Sequence, residues 1–327
     1  MKTRKVLKIT ALSCVAVFAL SVLIFGLVTG FGIEDVRALF EKPAESGYDT
    51  PYTYTEDLDY LDELVIDWPG GPVTLSLYDG DVVTVTETAR RALEEEEKLA
   101  LEIDGGTLSI RWNSAWLQAG ISDDEAKRLE VQVPQALAED LSAVSIRTSS
   151  GDVSAAGFAA REISLETVSG DIDAAALRAG RLTLNSTSGE IRGENLEGTE
   201  NVTAGNVSGE TALTGVQAGT LALSSTSGAV AADGTAETLT CRSVSGAASL
   251  TLRSWPAEAE ISTVSGGVAV RGPADESGFA CAVSTVSGET DCGFDAAEDG
   301  GTYTLGAGEA ALRISTTSGN VELAPLA

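Results

Sequence analysis

The chain has no histidine, one methionine, four cysteines and eight prolines in 327 residues, and aromatic side chains make up 5%. Without histidine, no serine can be activated by an imidazole base, which excludes hydrolases of the Ser-His-Asp type. Cys14 lies in an apolar N-terminal segment. Cys241, Cys281 and Cys292 lie far downstream at spacings that suit neither a metal site nor a disulfide framework. What remains is rich in small and β-branched side chains, with 35 glycines. That composition fits a repetitive β fold of thin, uniform layers better than a helical bundle.

Basic residues are also scarce, 21 against 49 acids, for a net charge of −28. Four of them (Lys2, Arg4, Lys5, Lys8) precede residue 9, and the first acid is Glu34. Residues 31–327 therefore hold 17 basic and 49 acidic side chains, 17 − 49 = −32. Such a surface keeps a repetitive chain soluble, and it repels nucleic acid and anionic lipid headgroups.

Ile9–Val28 is a run of 20 uncharged residues. As a helix it would cover about 30 Å, the thickness of a bilayer core. Cations precede it and acids follow it, so the positive-inside rule places the N-terminus in the cytoplasm and the remainder outside. The run is longer than a signal peptide's apolar region and lacks an A-x-A-like cleavage site. The expected organisation is a cytoplasmic tail (1–8), a transmembrane signal-anchor helix (9–29), a juxtamembrane spacer (30–60), a β-rich N-terminal cap region (61–142) and β-solenoid repeats (143–327). The expected location is the cell membrane, single-pass, with the C-terminal domain extracytoplasmic.

The strongest signal is an internal repeat. Ser-Gly recurs with its glycine at 151, 170, 189, 209, 228, 246, 266, 288 and 319. Seven positions before each glycine stand Val144, Ile163, Leu182, Val202, Leu221, Leu239, Ala259, Cys281 and Leu312. Five before stand Ile146, Leu165, Leu184, Ala204, Leu223, Cys241, Ile261, Val283 and Ile314. Two after, Val153, Ile172, Ile191, Val230, Val268 and Val321 continue the apolar set. Polar residues fill the gaps, so each flank of the Ser-Gly is a half-buried strand of period two.

One repeat cannot enclose a core, but stacked repeats can. The expected fold is all-β: a single-stranded β-solenoid of about 19-residue coils with two or three short strands each and Ser-Gly corners. Nine coils at the strand spacing give a rod on the order of 40 Å long. Glycine is expected at the corner for its access to positive φ, and the serine for a hydrogen bond to backbone or to the next coil's serine. Cys241, Cys281 and Cys292 fall on core columns as small hydrophobes. Cys281 and Cys292 share a coil, which leaves pairing between them open.

Ahead of the repeats, Leu64–Trp68, Val73–Leu77, Val82–Thr88, Leu99–Ile103, Thr107–Trp112 and Leu129–Val133 read as strands. Glu94–Glu97 and Ser122–Lys127 read as exposed loops or short helical insertions. This segment is expected to cap the first coil against edge-to-edge pairing. Residues 291–312 form the longest insertion, with a turn at Gly300-Gly301. The chain stops soon after the last Ser-Gly coil, leaving a short, weakly capped end.

The segments LVIDWPGGPVTLSLYDGDVVTVTET, RLEVQVP, IRTSSGDVSA, LETVSGDI, LNSTSGEI and YTLGAGEAALRISTTSGNVEL resemble, in that order, the bacterial DUF4097 family, a β-strand-repeat domain carrying an adhesin label. The resemblance covers about residues 60–325. It implies a solenoid, an envelope location and no catalytic residues, and it supplies no binding residues.

The expected function is that of a non-catalytic surface interaction module, adhesin-like or sensing envelope stress. Its partner is expected to be a cell-wall glycan or a membrane protein, with no nucleic acid and no cofactor. The first alternative is a self-assembling scaffold, motivated by the weakly capped end. The second is a polysaccharide-active β-helix enzyme; aromatic sugar platforms are scarce, and Trp255 is the repeats' one tryptophan. Asp152, Asp171, Glu190 and Glu210 follow the glycine in four successive repeats. Stacked at about 4.8 Å they would repel unless splayed into water or bridged by a divalent cation such as Ca²⁺.

Overall fold

The computed structural model describes residues 50–113, 126–139 and 141–326. Successive repeats pair in parallel, as a solenoid requires. Leu141–Thr148, Ala159–Thr167, Arg178–Ser186 and Glu197–Asn206 form a first face in which Val144, Ile163, Leu182 and Val202 are in register. Val153–Ala156, Ile172–Ala175 and Ile191–Glu194 form a second face across the core. A third, short side (Ala159–Ala160, Arg178–Ala179, Glu197–Gly198) closes each coil. The turn into that side is where positive φ occurs, in the successive corner residues Gly157, Ala176, Asn195 and Gly215. Leucine, isoleucine and valine from all sides merge into one continuous core along the axis.

The Ser-Gly corner needs glycine for a different reason from the expected one. None of the nine repeat glycines has positive φ. Instead, each coil's corner lies on the corner before it. A β-carbon at Gly170 would stand 1.9 Å from the Gly151 carbonyl oxygen, and one at Gly189 1.7 Å from that of Gly170. Close backbone approach, not φ, excludes every other side chain.

This column of glycines reveals the true coil order. It runs Gly71, Gly151, Gly170, Gly189, Gly209, Gly228, Gly246, Gly266, Gly319, Gly288. The last coil in sequence is not last in space. Ala310–Ser315 lies between Glu258–Ser262 and Phe279–Ser284, and Val321–Pro325 lies between Val268–Gly272 and Thr290–Cys292. The other end mirrors this arrangement. Glu63–Trp68 and Val73–Tyr78 form the first coil, yet Thr107–Arg111 and Arg128–Pro134 cover it from outside.

Antiparallel strands finish both ends: Val83–Ala89 and Ala100–Asp104 at one, Thr302–Thr304 and Ala297–Asp299 at the other. The outermost strands carry acids (Glu56, Glu102, Asp104, Asp291, Glu298, Asp299), which blunt them against further pairing. The expected weakly capped C-terminal end is therefore not what the structure has. An aromatic group of Trp255, Phe279 and Phe294, with ring centroids 4.7–5.9 Å apart, fastens that cap.

Three further expectations change. Within the spacer expected over residues 30–60, Thr50–Glu56 is a strand paired with Val83–Ala89. Lys127, assigned to an exposed stretch, is buried. The single-pass membrane placement is corrected: among the described residues no helix is long and apolar enough to cross a membrane. The segment 9–29 on which that placement rested, like Cys14, lies outside the described residues.

Candidate interaction surface

The residue types that sequence singled out for chemistry do other work. Three of the nine corner serines reach neighbouring backbone: Ser150 Oγ donates to the Pro69 carbonyl at 3.4 Å, Ser169 Oγ to that of Ser149 at 3.1 Å and Ser287 Oγ to that of Thr317 at 3.2 Å. The structural burden falls three residues before each glycine, on a column not read from the sequence: Thr148, Thr167, Ser186, Asn206, Ser225, Ser243, Thr263 and Thr316, all buried, and Thr285, half-buried in the outermost coil. Ser186 Oγ accepts the Gly189 N–H at 2.9 Å and donates to the Gly170 carbonyl at 3.1 Å. Thr167 and Asn206 bond in the same way one coil before and after. The signal was present, since the position holds only Thr, Ser or Asn.

The acidic corner row is held by backbone. Asp152 Oδ1 accepts the Asp171 N–H at 2.8 Å, and Asp171 Oδ1 accepts the Glu190 N–H at 2.8 Å. The guanidinium of Arg192 lies against Glu190 and 3.7 Å from Asp173. These contacts offset the repulsion that motivated a bridging cation. Among the described residues no group of three or more His, Cys, Asp or Glu side chains is placed to hold a metal.

Cys241, Cys281 and Cys292 are free thiols, so Cys281 and Cys292 do not pair. Burial pushes Cys241 up to about 12, and burial with the neighbouring Cys292 pushes Cys281 up to about 12. Neither is a nucleophile at neutral pH.

The cap holds a cluster that sequence reasoning missed. Lys127 Nζ sits over the rings of Trp112 (4.3 Å) and Trp68 (5.0 Å) and donates to the Glu97 carbonyl at 2.9 Å. Trp68 Nε1 donates back to the Lys127 carbonyl at 2.8 Å. Its carboxylate partner, Glu87, also accepts from Tyr54 Oη and the Leu99 N–H. Burial drives the lysine below its ordinary pKa, with Glu87 pulling the other way, and burial beside Glu87 drives Tyr54 upward. The donors of Lys127, Trp68 and Tyr54 are met from within, whereas Trp112 Nε1 is buried without a hydrogen-bond partner; with its two charges committed to each other, the cluster is a fastener rather than a ligand site.

The candidate surface is the first face. Its outward residues stack in register: Ser164, Thr183, Thr203, Ala222, Thr240 in one row and Asn201, Thr220, Thr238 in the next. Within these two rows, from Asn201 to Thr240, the outward side chains are uncharged and short, with the exposed Glu237 beside Thr238 at the edge. Ion pairs bound the strip. On one side Arg181 bridges Glu162 (3.1 Å) and Glu200 (3.0 Å); on the other Arg242 meets Glu260 at 2.9 Å. In so acidic a chain this is a neutral, hydroxyl-lined strip, with Glu237 the exposed acid at its edge.

This stack, with its glycine column and finished ends, defines an all-β repeat protein of the toastrack type. A family model, Toastrack DUF4097, matches residues 61–280, and the chain belongs to that family. No curated protein matches. Among solved structures, a "putative adhesin" from Bacteroides fragilis is similar at 10% identity over 86% of this chain and 99% of its own, with a TM-score of 0.44. A "putative lipid binding protein" from Parabacteroides distasonis aligns at 14% identity over 86% and 98%, with a TM-score of 0.46. A "putative adhesin" from the same species aligns at 14% over 85% and 98%, with a TM-score of 0.48.

Proposed function

We propose that the chain is a non-catalytic β-solenoid interaction module, adhesin-like, which presents its first face to a glycan surface. The neutral hydroxyl strip between the Arg181 and Arg242 ion pairs carries this reading. Ordered hydroxyls at a fixed strand spacing suit a repetitive, hydroxyl-bearing ligand, and a rod braced at both ends presents them at little entropic cost. Enzymatic cleavage is disfavoured because Glu87, the buried acid among the described residues, is committed to Lys127, Tyr54 and Leu99. Self-assembly end to end is disfavoured by the acid-bearing antiparallel strands at both ends.

The test is co-sedimentation of the purified protein with isolated cell-wall sacculi, with and without calcium. Binding that resists moderate salt supports the reading. Failure to sediment at any salt would remove the glycan surface and leave a protein partner.

A further inference from the structure

Where the third side of each coil bends into the first face, the parallel register is interrupted. Ala160 pairs with Ala179, but the next registered pair is Glu162 with Arg181. One coil on, the register shifts between Ala179 and Arg181, and in the next between Gly198 and Asn201. A surface groove of about 390 Å³ follows this seam. Leu141, Ala160, Ala179 and Gly180 line it with small or apolar groups. Gly180 is tight against the coil before it, where a β-carbon would stand 2.8 Å from the Arg161 carbonyl oxygen. The volume lies within the range of small-ligand sites.

The polar groups of the groove are unevenly committed. Arg178 is tied to Glu197 at 3.5 Å, and Ser142 Oγ donates to Asp62 at 2.5 Å. Arg161 also lines the groove. Among the described residues, Arg161 and Arg313 are the arginines whose guanidinium makes neither an ion pair nor a hydrogen bond. With 49 acids in the chain, a free arginine does not reflect a shortage of carboxylates. Arg313 stands near the far end of the stack, whereas Arg161 stands at a concavity.

We propose that this groove binds a carboxylate-bearing sugar residue of an anionic glycan, with Arg161 taking the carboxylate. Glu139, Glu197, Ser142 and Thr199 supply acceptors for sugar hydroxyls. The inference rests on the glycan-module reading and adds to it the ligand's charge and the point of attachment. One free guanidinium in a groove that also holds Glu139 and Glu197 matches a ligand that carries a single carboxylate among several hydroxyl donors. An acidic peptide matches less well, since it brings repeated carboxylates against Glu139 and Glu197 and few donors to meet them. A planar guanidinium holds a carboxylate through two parallel bonds, which lysine cannot reproduce.

The test is calorimetric titration of the purified protein with D-glucuronate, N-acetylmuramate, D-glucose and poly-glutamate. Wild type, Arg161→Ala, Arg161→Lys and Arg313→Ala are compared. Because both arginines are exposed, their substitution leaves the melting temperature unchanged. One or both acidic sugars should bind saturably, and glucose should not. Arg161→Ala should weaken binding at least tenfold, Arg161→Lys should fall between, and Arg313→Ala should match wild type.

Binding of neither acidic sugar would overturn the proposal. So would equal weakening by Arg313→Ala, which would mark general charge attraction, or poly-glutamate binding as tightly as the sugars. Sacculus co-sedimentation separates this failure from that of the parent reading. If wild type and Arg161→Ala sediment equally, the groove is wrong and the glycan module stands. If neither sediments, the module itself fails.

Discussion

The Lys127 ammonium lies 2.7 Å from the Glu87 carboxylate, with 2% and 0% of the two side chains exposed. The pair joins the strand Val83–Ala89 to the residue that closes the covering coil of the N-terminal cap. Lys127 also stands where the glycine column ends, since a β-carbon on Gly71 would stand 2.2 Å from the Lys127 carbonyl oxygen. A single residue thus terminates the corner stack with its backbone and ties the cap together with its side chain.

Removing one partner strands the other charge in the core. Lys127→Met and Glu87→Gln should each lower the unfolding free energy by about 3–5 kcal/mol. The double variant Glu87→Gln with Lys127→Met should cost less than the sum. Urea unfolding of the four proteins measures the coupling, and additive single effects would show that the pair is not a unit.

Glu97 gives the cap an acid-sensitive contact. Arg91 grips its carboxylate through two bonds of 2.8 and 2.9 Å, and the Glu94 N–H adds a third. Chiefly through Arg91, its pKa is held below the ordinary 4.5. The folded state therefore binds fewer protons than the unfolded one in that window. The contribution is complete above about pH 4.5 and is lost as pH falls through the lowered value. Glu97→Gln should flatten the stability profile below pH 4.5 while leaving its shape near neutrality unchanged.

Gly170→Ala should prevent normal folding, because its β-carbon would lie 1.9 Å from backbone that cannot move without displacing the coil before it. The expected result is aggregation or loss of the cooperative thermal transition by circular dichroism. A variant that melts like wild type would contradict the close-packed corner.

Ser186→Ala and Ser188→Ala differ by two positions and should differ widely in cost. The first leaves the Gly189 N–H and the Gly170 carbonyl without their side-chain partner in a buried corner, worth roughly 1–3 kcal/mol. Ser188 is exposed, and its replacement should fall within about 0.5 kcal/mol of wild type. Chemical denaturation ranks the two.

Ala176 holds φ at 51°, a region that disfavours residues with a β-carbon. Ala176→Gly should stabilise the protein by about 1 kcal/mol, the strain relieved exceeding glycine's added entropy. A lower melting temperature would show that the alanine methyl makes a contact worth more than the strain.

The parallel stack, the apolar columns and the corner position of Ser-Gly were legible because period-two alternation within a fixed repeat leaves few other ways to bury Val144, Ile163 and Leu182 together. The order of the end coils was not legible. Ala310–Ser315 fits equally well outside or inside Phe279–Ser284, because each presents the same alternation; only the hairpin Ala297–Thr304 on the outer edge settles it. Lys127 was misread because charge usually marks exposure, and the sequence does not show that Glu87, Trp68 and Trp112 converge on it. Arg161 gave no sign at all, since its distinction is the partner it lacks.

The inserted last coil changes how the molecule carries force. A load applied from the C-terminal side of the inserted coil falls on Val321–Pro325, a strand bonded along both edges. An outermost strand could be peeled open one bond at a time. This one must slide against two neighbours at once, so its ladder is loaded in shear and the bonds yield together.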